Sequence, residues 1–493
     1  MLLPREIFTA AQVRQLESAA VASGVPGYTL MKRAGAAAFA TLRQRWPLAR
    51  ALAVVAGPGN NGGDGMVLAR LAKQAGLEVQ VLLAADPAAL RGEAREALHD
   101  LVAVGVEPRA FDAAELARAD LVVDALLGIG ARGPLRAGLG EVIEAINAAG
   151  RRVFALDLPS GLDPDSGMAL PAVRATATIT FVALKQGLFL GEGPEHTGDI
   201  RFDALQVPRG PIEPALRRLT YDSLAEVLPP RPRQSHKGQF GRVLVVGGGP
   251  GMPGAVRLAA EAALRVGAGL VTVASLPGHL AAVTGSRPEL MFRALHDSAD
   301  VAAAMAEADV IVVGPGLGQD VWAARTLGAV IEHRRPGQQL VADADALNLI
   351  AADSTVQHMD DWVLTPHPGE AARLLGLTVA DVQQDRLAAL RALCERRGGV
   401  IVLKGAGTLI GTAGAVPRLC DHGNPGMSVP GMGDVLTGAV AGFLAQCDRP
   451  FEATAAAVYA HAVAGDHCAR IGLRGLLAQE VAQELRVVLA QLP

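Results

Sequence analysis

Short apolar runs recur along the chain, each followed by Gly, Asn, Asp or Pro and then by an alanine-rich stretch of helical character. In the first half these runs are ALAVVAG, LEVQVLLAA, ADLVVDALLG, RRVFALDLPSG and ATATITFVALKQG. The alternation predicts β-α-β units and a mostly parallel sheet. From Val207 to Pro232 the pattern breaks into Pro- and Arg-rich text, VPRGPIEPALRR and then VLPPRPR, which reads as an inter-domain connection. A second series follows with GRVLVVGGG, GLVTVASLP, ADVIVVGPGLG, QQLVADADALN, DWVLTPHPGE and GVIVLKGAGTLIG, ending in two Ala-rich helical segments from about Phe451. Two α/β domains in tandem are predicted, residues 1–213 and 214–493.

Composition narrows the chemistry. A chain of 493 residues, half of them hydrophobic, is long enough for two ordinary domains with separate cores. A net charge of −4 gives no basic excess that would attract nucleic acid or anionic lipid, so small-molecule partners are expected. The four cysteines Cys394, Cys420, Cys447 and Cys468 show no C-x-x-C spacing and read as buried thiols in a reducing compartment. The charged start, MLLPREIFTAAQVRQLE, lacks a signal-peptide pattern, and no run approaches the ~18 apolar residues of a membrane helix, so a cytoplasmic location is expected. The Ala-rich helices suit subunit contacts, and a homo-oligomer is expected.

The stretch AGPGNNGGDGMVLAR carries G-x-G-x-x-G at Gly57, Gly59 and Gly62, the pattern of a dinucleotide-binding turn. Asp86, at the end of the next run, stands where a ribose-binding acid could sit. Asp64, however, puts a carboxylate at the helix start where a redox cofactor's pyrophosphate would lie, and two anions would compete there. Asp64 alone reads as a helix cap. The functional reading comes from convergence, because ligands of open parallel sheets bind beyond the carboxyl ends of the strands. Asn60, Asn61 and Asp64 follow the first run, Asp124 the third, Asp157 and Ser160 the fourth, and Lys185 the fifth. Asp157 and Lys185 could move protons, and Asn61, Asp124 and Ser160 offer oxygen ligands for a hard cation.

NNGGDG, DALLGIGARGP, ALDLPSGLD and FVALKQG, in this order, resemble the epimerase domain of the bifunctional NAD(P)H-hydrate repair enzymes over roughly residues 8–205. The resemblance implies a Rossmann-like three-layer α/β/α domain that takes hydrated NAD(P)H, NAD(P)HX, as substrate. It implies substrate contacts at Asn60, Asn61, Gly62, Gly63, Asp64, Gly128, Ile129, Gly130, Ala131, Arg132, Gly133, Pro134 and Asp157. Proton transfer would fall to Asp157 with Lys185, and K+ to Asn61, Asp124 and Ser160.

In the second half G-x-G-x-x-G occurs again, at Gly249, Gly251 and Gly254, so the pattern alone decides nothing. KGAGT and NPGMSVPGMGDVLTG carry more. A glycine turn entering an apolar helix can hold an anion on its amides, with Asp434 beside it to accept a proton from an attacking hydroxyl. HKGQFGRVLVVGG, GMPGA, GPGLG, DADALN, TPHPGE, KGAGT and GNPGM...GMGDVLTG resemble the ribokinase-like, ADP- or ATP-dependent dehydratase domain of the same family. That resemblance implies NAD(P)HX contacts at Ala255, Gly318, His367 and Asp434. It implies ADP/AMP contacts at Lys404, Gly405, Ala406, Gly407, Thr408 and Gly433, and Mg2+ accompanying ADP. Pro430, where the family has a small residue, has no amide to donate, which would leave the anion to Gly431–Gly433. The alternatives are a ribokinase-like small-molecule kinase and a non-catalytic nucleotide-binding front domain.

Overall fold

In the computed structural model, which describes residues 3–130, 138–169, 171–285, 287–353, 355–356 and 358–490, the apolar runs become strands. The seven-stranded sheet of the first half is made of β1 (Ala51–Ala56), β2 (Glu78–Leu83), β3 (Arg109–Ala110), β4 (Leu121–Ala125), β5 (Arg152–Leu156), β6 (Ala177–Phe181) and β7 (Asp199–Asp203). All pair in parallel, in the order β3-β2-β1-β4-β5-β6-β7. The central strands β1, β4 and β5 are buried almost end to end, which is why their sequences show no polar alternation. Strand order reverses between β1 and β4, and the connections leaving those two strands diverge to open a crevice there.

The glycines of the opening motif close this edge. A Cβ on Gly57 would lie 2.0 Å from the Leu126 carbonyl oxygen beyond β4, and one on Gly62 would lie 2.0 Å from the Gly57 carbonyl oxygen. Glycine alone lets β1, β4 and the helix Asn60–Gln74 approach so closely.

The second half includes the strands β8 (Arg242–Val246), β9 (Leu270–Ser275), β10 (Met291–Ala294), β11 (Val310–Val313), β12 (Gln339–Ala342), β13 (Trp362–Leu364), β14 (Val400–Leu403), β15 (Thr408–Thr412) and β16 (Arg418–Cys420). Their order is β10-β9-β8-β11-β12-β13-β14-β15-β16, parallel as far as β14 and antiparallel beyond. The reversal falls between β8 and β11, as between β1 and β4. The largely buried helix Met432–Leu444 packs on Pro253–Arg265 so closely that a Cβ on Gly438 would meet the Ala259 carbonyl oxygen at 1.9 Å.

The chain divides into two compact units, Met1–Leu216 and Arg217–Pro493. The boundary lies inside the Pro- and Arg-rich stretch, which is more than a connection. Arg217 and Arg218 pair with Arg418 and Leu419 of β16, and Leu219, Leu224 and Val227 are core residues of the second unit. The Ala-rich helix Pro450–Ala469 is buried within that unit, so its composition is accounted for by packing in one chain. The four cysteines are free thiols, and no helix among the described residues is long and apolar enough to cross a membrane.

Candidate active sites

In the first unit the candidate residues gather at the carboxyl edge of the sheet. Asn60, Asn61, Gly62, Gly63 and Asp64 form the first turns of the helix after β1, Asp124 lies near the end of β4, and Gly128, Ile129 and Gly130 follow it. Asp157 and Ser160 follow β5, and Lys185 lies beyond β6. Ala131, Arg132, Gly133 and Pro134 lie outside the described residues. A cavity of about 680 Å³ is lined by Asn60, Asn61, Asp64, Gly128, Ile129, Gly130 and Asp157, together with Arg14 and Glu17. Gly62, Gly63, Asp124, Ser160 and Lys185 are buried and are not part of its lining.

From sequence alone Lys185 could be a surface residue, but it is 1% exposed. Its Nζ donates to Asp157 Oδ1, to Thr180 Oγ1 at 2.9 Å and to the Phe181 carbonyl at 2.7 Å. The ammonium therefore fixes Asp157 from behind the cavity wall. Asp157 is held at φ 65°, in the left-handed region, with its amide on the Ile179 carbonyl at 2.7 Å. Of the five non-glycine residues with positive φ among those described, Asp157, Val182 and Leu205 all line this cavity. A β-branched residue such as Val182 is strongly disfavoured there, so strain is concentrated at the site.

Asp64 is no helix cap: Gly59 holds the cap position, and Asp64 lies inside the helix facing the cavity. Burial pushes its carboxyl well up, and the charges of Asp157 and Glu17 add to that. Asp86 accepts from the Ala88 amide at 2.8 Å and caps a short turn. Asp124 is fully buried. It accepts from the Ser160 hydroxyl at 2.6 Å, the Ser160 amide at 2.8 Å and the Leu126 amide at 3.2 Å. Burial outweighs those bonds and raises its carboxyl to about 6. Asn61 Nδ2 donates to the Leu127 carbonyl at 2.8 Å, while its Oδ1 is buried with no hydrogen-bond partner.

In the second unit the site again sits beyond the strand ends. Lys404, just after β14, donates to Asp343 Oδ1 at 2.7 Å and lies 3.9 Å from Glu370 Oε2. Thr437 donates to the other Asp343 oxygen at 2.7 Å. Burial works against the Asp343 charge, yet Lys404 and the threonine hydroxyls outweigh it and hold the carboxyl low. Asp434, in the first turn of the helix Met432–Leu444, is raised to about 7, mainly by burial and next by the Asp343 charge. Glu370 is raised to about 7 for the same two reasons, with Lys404 opposing.

That helix starts at Met432, with Gly431 at φ 90° as its cap. Its free amides are those of Met432, Gly433 and Asp434, so Pro430 precedes the donors and removes none of them. A Cβ on Gly433 would lie 3.4 Å from Lys404 Nζ, so Gly433 and Lys404 meet at one point. The hairpin turn Gly405, Ala406 and Gly407 is braced by buried Arg386, which donates to the Leu403 and Lys404 carbonyls, each at 3.2 Å. Thr408 closes the turn on the Gly405 carbonyl at 2.8 Å. His367 caps the helix Pro368–Leu375, its Nδ1 accepting from the Gly369 amide at 2.9 Å while Glu370 accepts from the His367 amide at 2.8 Å. Gly318 donates to Asp345 Oδ2 at 2.8 Å, and Ala255 packs against Gly316 of the same GPGLG turn. Between Asp343 and Asp345, Ala344 is held at φ 49°.

Comparison with known proteins agrees with this division. Residues 27–187 match the family described as YjeF-related protein N-terminus, and residues 243–486 match NAD(P)H-hydrate dehydratase. The bifunctional NAD(P)H-hydrate repair enzyme of Coxiella burnetii is 45% identical over 482 residues, covering 97% of this chain and 98% of that one. The chain belongs to the bifunctional NAD(P)H-hydrate repair enzyme family. The Escherichia coli repair enzyme is 42% identical, covering 98% of this chain and 94% of that one. Among solved structures, an Enterococcus faecalis ribokinase-like superfamily protein is 34% identical with a TM-score of 0.52, covering 56% of this chain and 96% of that one. The Bacillus subtilis ADP/ATP-dependent NAD(P)H-hydrate dehydratase, co-crystallised with ATP and Mg2+, is 29% identical with a TM-score of 0.50, covering 55% of this chain and 97% of that one.

For this repair-family chain, sequence reasoning missed Glu17, Arg14, Asp343 and Glu370. The last two lie in DADALN and TPHPGE, and a strand ending directly before Asp343 was the available signal. No local signal marked Glu17, which reaches its cavity from a helix before the first strand of the sheet.

Proposed function

We propose that the chain repairs hydrated NADH and NADPH, the first unit exchanging the R and S epimers and the second dehydrating the S epimer at the expense of ADP. What carries the reading is the presence in one chain of two strand-edge sites. One places the Lys185-held Asp157 on a cavity, and the other sets Asp434 at a helix start beside Lys404 and Asp343.

In the second unit Asp434 accepts the proton of the ring hydroxyl as its oxygen attacks the terminal phosphoryl group of ADP, and AMP departs. The amides at the helix start hold the moving phosphoryl group. Phosphate then leaves with the carbon–oxygen electron pair, a neighbouring carbon gives up its proton to the departing phosphate, and the dihydronicotinamide ring is restored. Lys404 to Thr408 and Gly433 bind the adenine nucleotide, and Ala255, Gly318 and His367 bind the hydrated one. Mg2+ enters with the phosphates, to which it is usually bound. In the first unit Asp157 moves the hydroxyl proton, and Asn60 to Asp64 with the Gly128 to Pro134 turn hold the substrate.

Asn61, Asp124 and Ser160 fit K+: the donors are all oxygen, Asn61 Oδ1 is an orphaned buried acceptor, and no cation pairs with Asp124 among the described residues. The ion would supply positive charge to a buried carboxylate and rigidity to the Leu127 turn. We place the protein in the cytoplasm, in keeping with its free thiols.

Supplying both epimers of hydrated NADH with ADP or ATP, and following the return of reduced-nicotinamide absorbance, tests the whole reading. Complete recovery of both epimers is expected, faster with ADP; no recovery with either nucleotide would refute it.

A further inference from the structure

The first cavity has a wall outside the sheet edge. Arg14, Glu17 and Val21 line it from the helix Ala10–Ala22, while Val13, Leu16 and Ala20 of the adjoining face are buried. Spacings of three and four place the lining residues on one helical face. Arg14 donates to the Ile129 carbonyl at 2.9 Å and so ties this wall to the substrate turn.

Glu17 faces Asp157 and Lys185 from the sheet edge, Asp64 from the helix after β1, and Arg14 on its own helix; Glu93 lines the same cavity. Burial raises its carboxyl, the Asp157 charge adds to this, and Lys185 and Arg14 oppose it. The cavity therefore offers two different carboxyl groups. One is paired with buried Lys185, and the other, on a separate element, has its carboxyl raised by burial.

Epimer exchange moves a hydroxyl from one face of a ring carbon to the other, and a proton must be taken from oxygen on one face and returned on the other. We propose that Glu17 is the second acid-base group of the epimerase site, serving the ring face opposite to that served by Asp157. The proposal rests on the first unit being the epimerase. Asp157 takes the hydroxyl proton, the oxygen electrons form a carbonyl, and the carbon–nitrogen bond breaks with its pair going to nitrogen. That pair is delocalised through the ring double bond into the carboxamide. The carbonyl rotates, nitrogen attacks its other face, and Glu17 protonates the new alkoxide. Asp157 ends protonated and Glu17 ionised, the state that serves the reverse direction. No atom or electron is gained or lost.

The test uses the full-length chain with resolved epimers and no ADP, following exchange chromatographically. Because one proton is shared between the two groups, wild-type exchange peaks in pH and falls on both sides. Glu17→Gln is expected to lower kcat about 100-fold or more with little change in KM and to remove the alkaline limb. Glu17→Asp is expected to restore part of kcat together with that limb, and serves alone if the Gln variant melts early. Near wild-type kcat or a persisting alkaline limb in the Gln variant, or loss of that limb in a folded Glu17→Asp chain, would overturn the role of Glu17. A wild-type chain that exchanges epimers no faster than buffer would instead overturn the epimerase reading itself.

Discussion

Asp157 sits at φ 65°, a conformation tolerated by Asn and costing roughly 1–2 kcal/mol for Ala. Asp157→Asn should therefore keep the fold while removing the carboxylate, leaving only one epimer repairable with ADP beyond the spontaneous exchange rate. Rapid repair of both epimers by this variant would disprove its acid-base role. Asp434 must be ionised to accept a proton, and its carboxyl is raised to about 7. The kcat/KM for dehydration should thus fall about tenfold per pH unit below that value, seen in rates from pH 5 to 8. Asp124 is also a raised acid: without a cation its favourable contribution to stability is complete below its unfolded value and lost as pH climbs through about 6. A K+ ion and a proton compete for that carboxylate. K+ should raise the melting temperature of the first unit at pH 7.5, lose that effect at pH 5, and have none in Asp124→Asn. Asp157, Lys185 and Asp124 were legible because each stands near the end of an apolar run. Glu17 was not, because nothing in one sequence says which helix folds over a sheet edge.

At the scale of elements, the buried central strands were legible from uninterrupted apolar text, and so were the helices between them. Strands that no predicted run covers include β3, β7, β10 and β16, which are short, partly exposed or polar, as DIRFD and MFRA show. The Pro- and Arg-rich stretch misled for a related reason: its prolines mark breaks, but Leu216, Leu219 and Leu224 between them are buried. Helix packing was invisible as well. Gly438 looks like a weak point in an apolar helix, yet it is where the backbone of Pro253–Arg265 comes closest. Gly438→Ala should destabilise the second unit by about 1–3 kcal/mol, measured as a lower melting transition for dehydratase inactivation, with epimer exchange unaffected.

For the molecule as a whole, each unit carries its own core and its own candidate site, so each should act on a substrate that diffuses between them. A mixture of full-length Asp157→Asn and Asp434→Asn chains is then expected to repair both epimers completely, though neither does so alone. Failure of the mixture would mean that the epimer must be passed within one chain. The tandem layout was readable from sequence because the two series of apolar runs are separated by a single break in pattern. The backbone at Ala344 could not be read in that way. A glycine there would release strain on the order of 1–3 kcal/mol, offset by about 0.5–1 kcal/mol of added unfolded-chain entropy. It would also unlock Asp343 and Asp345, so selection for durability and selection for turnover pull this one position in opposite directions.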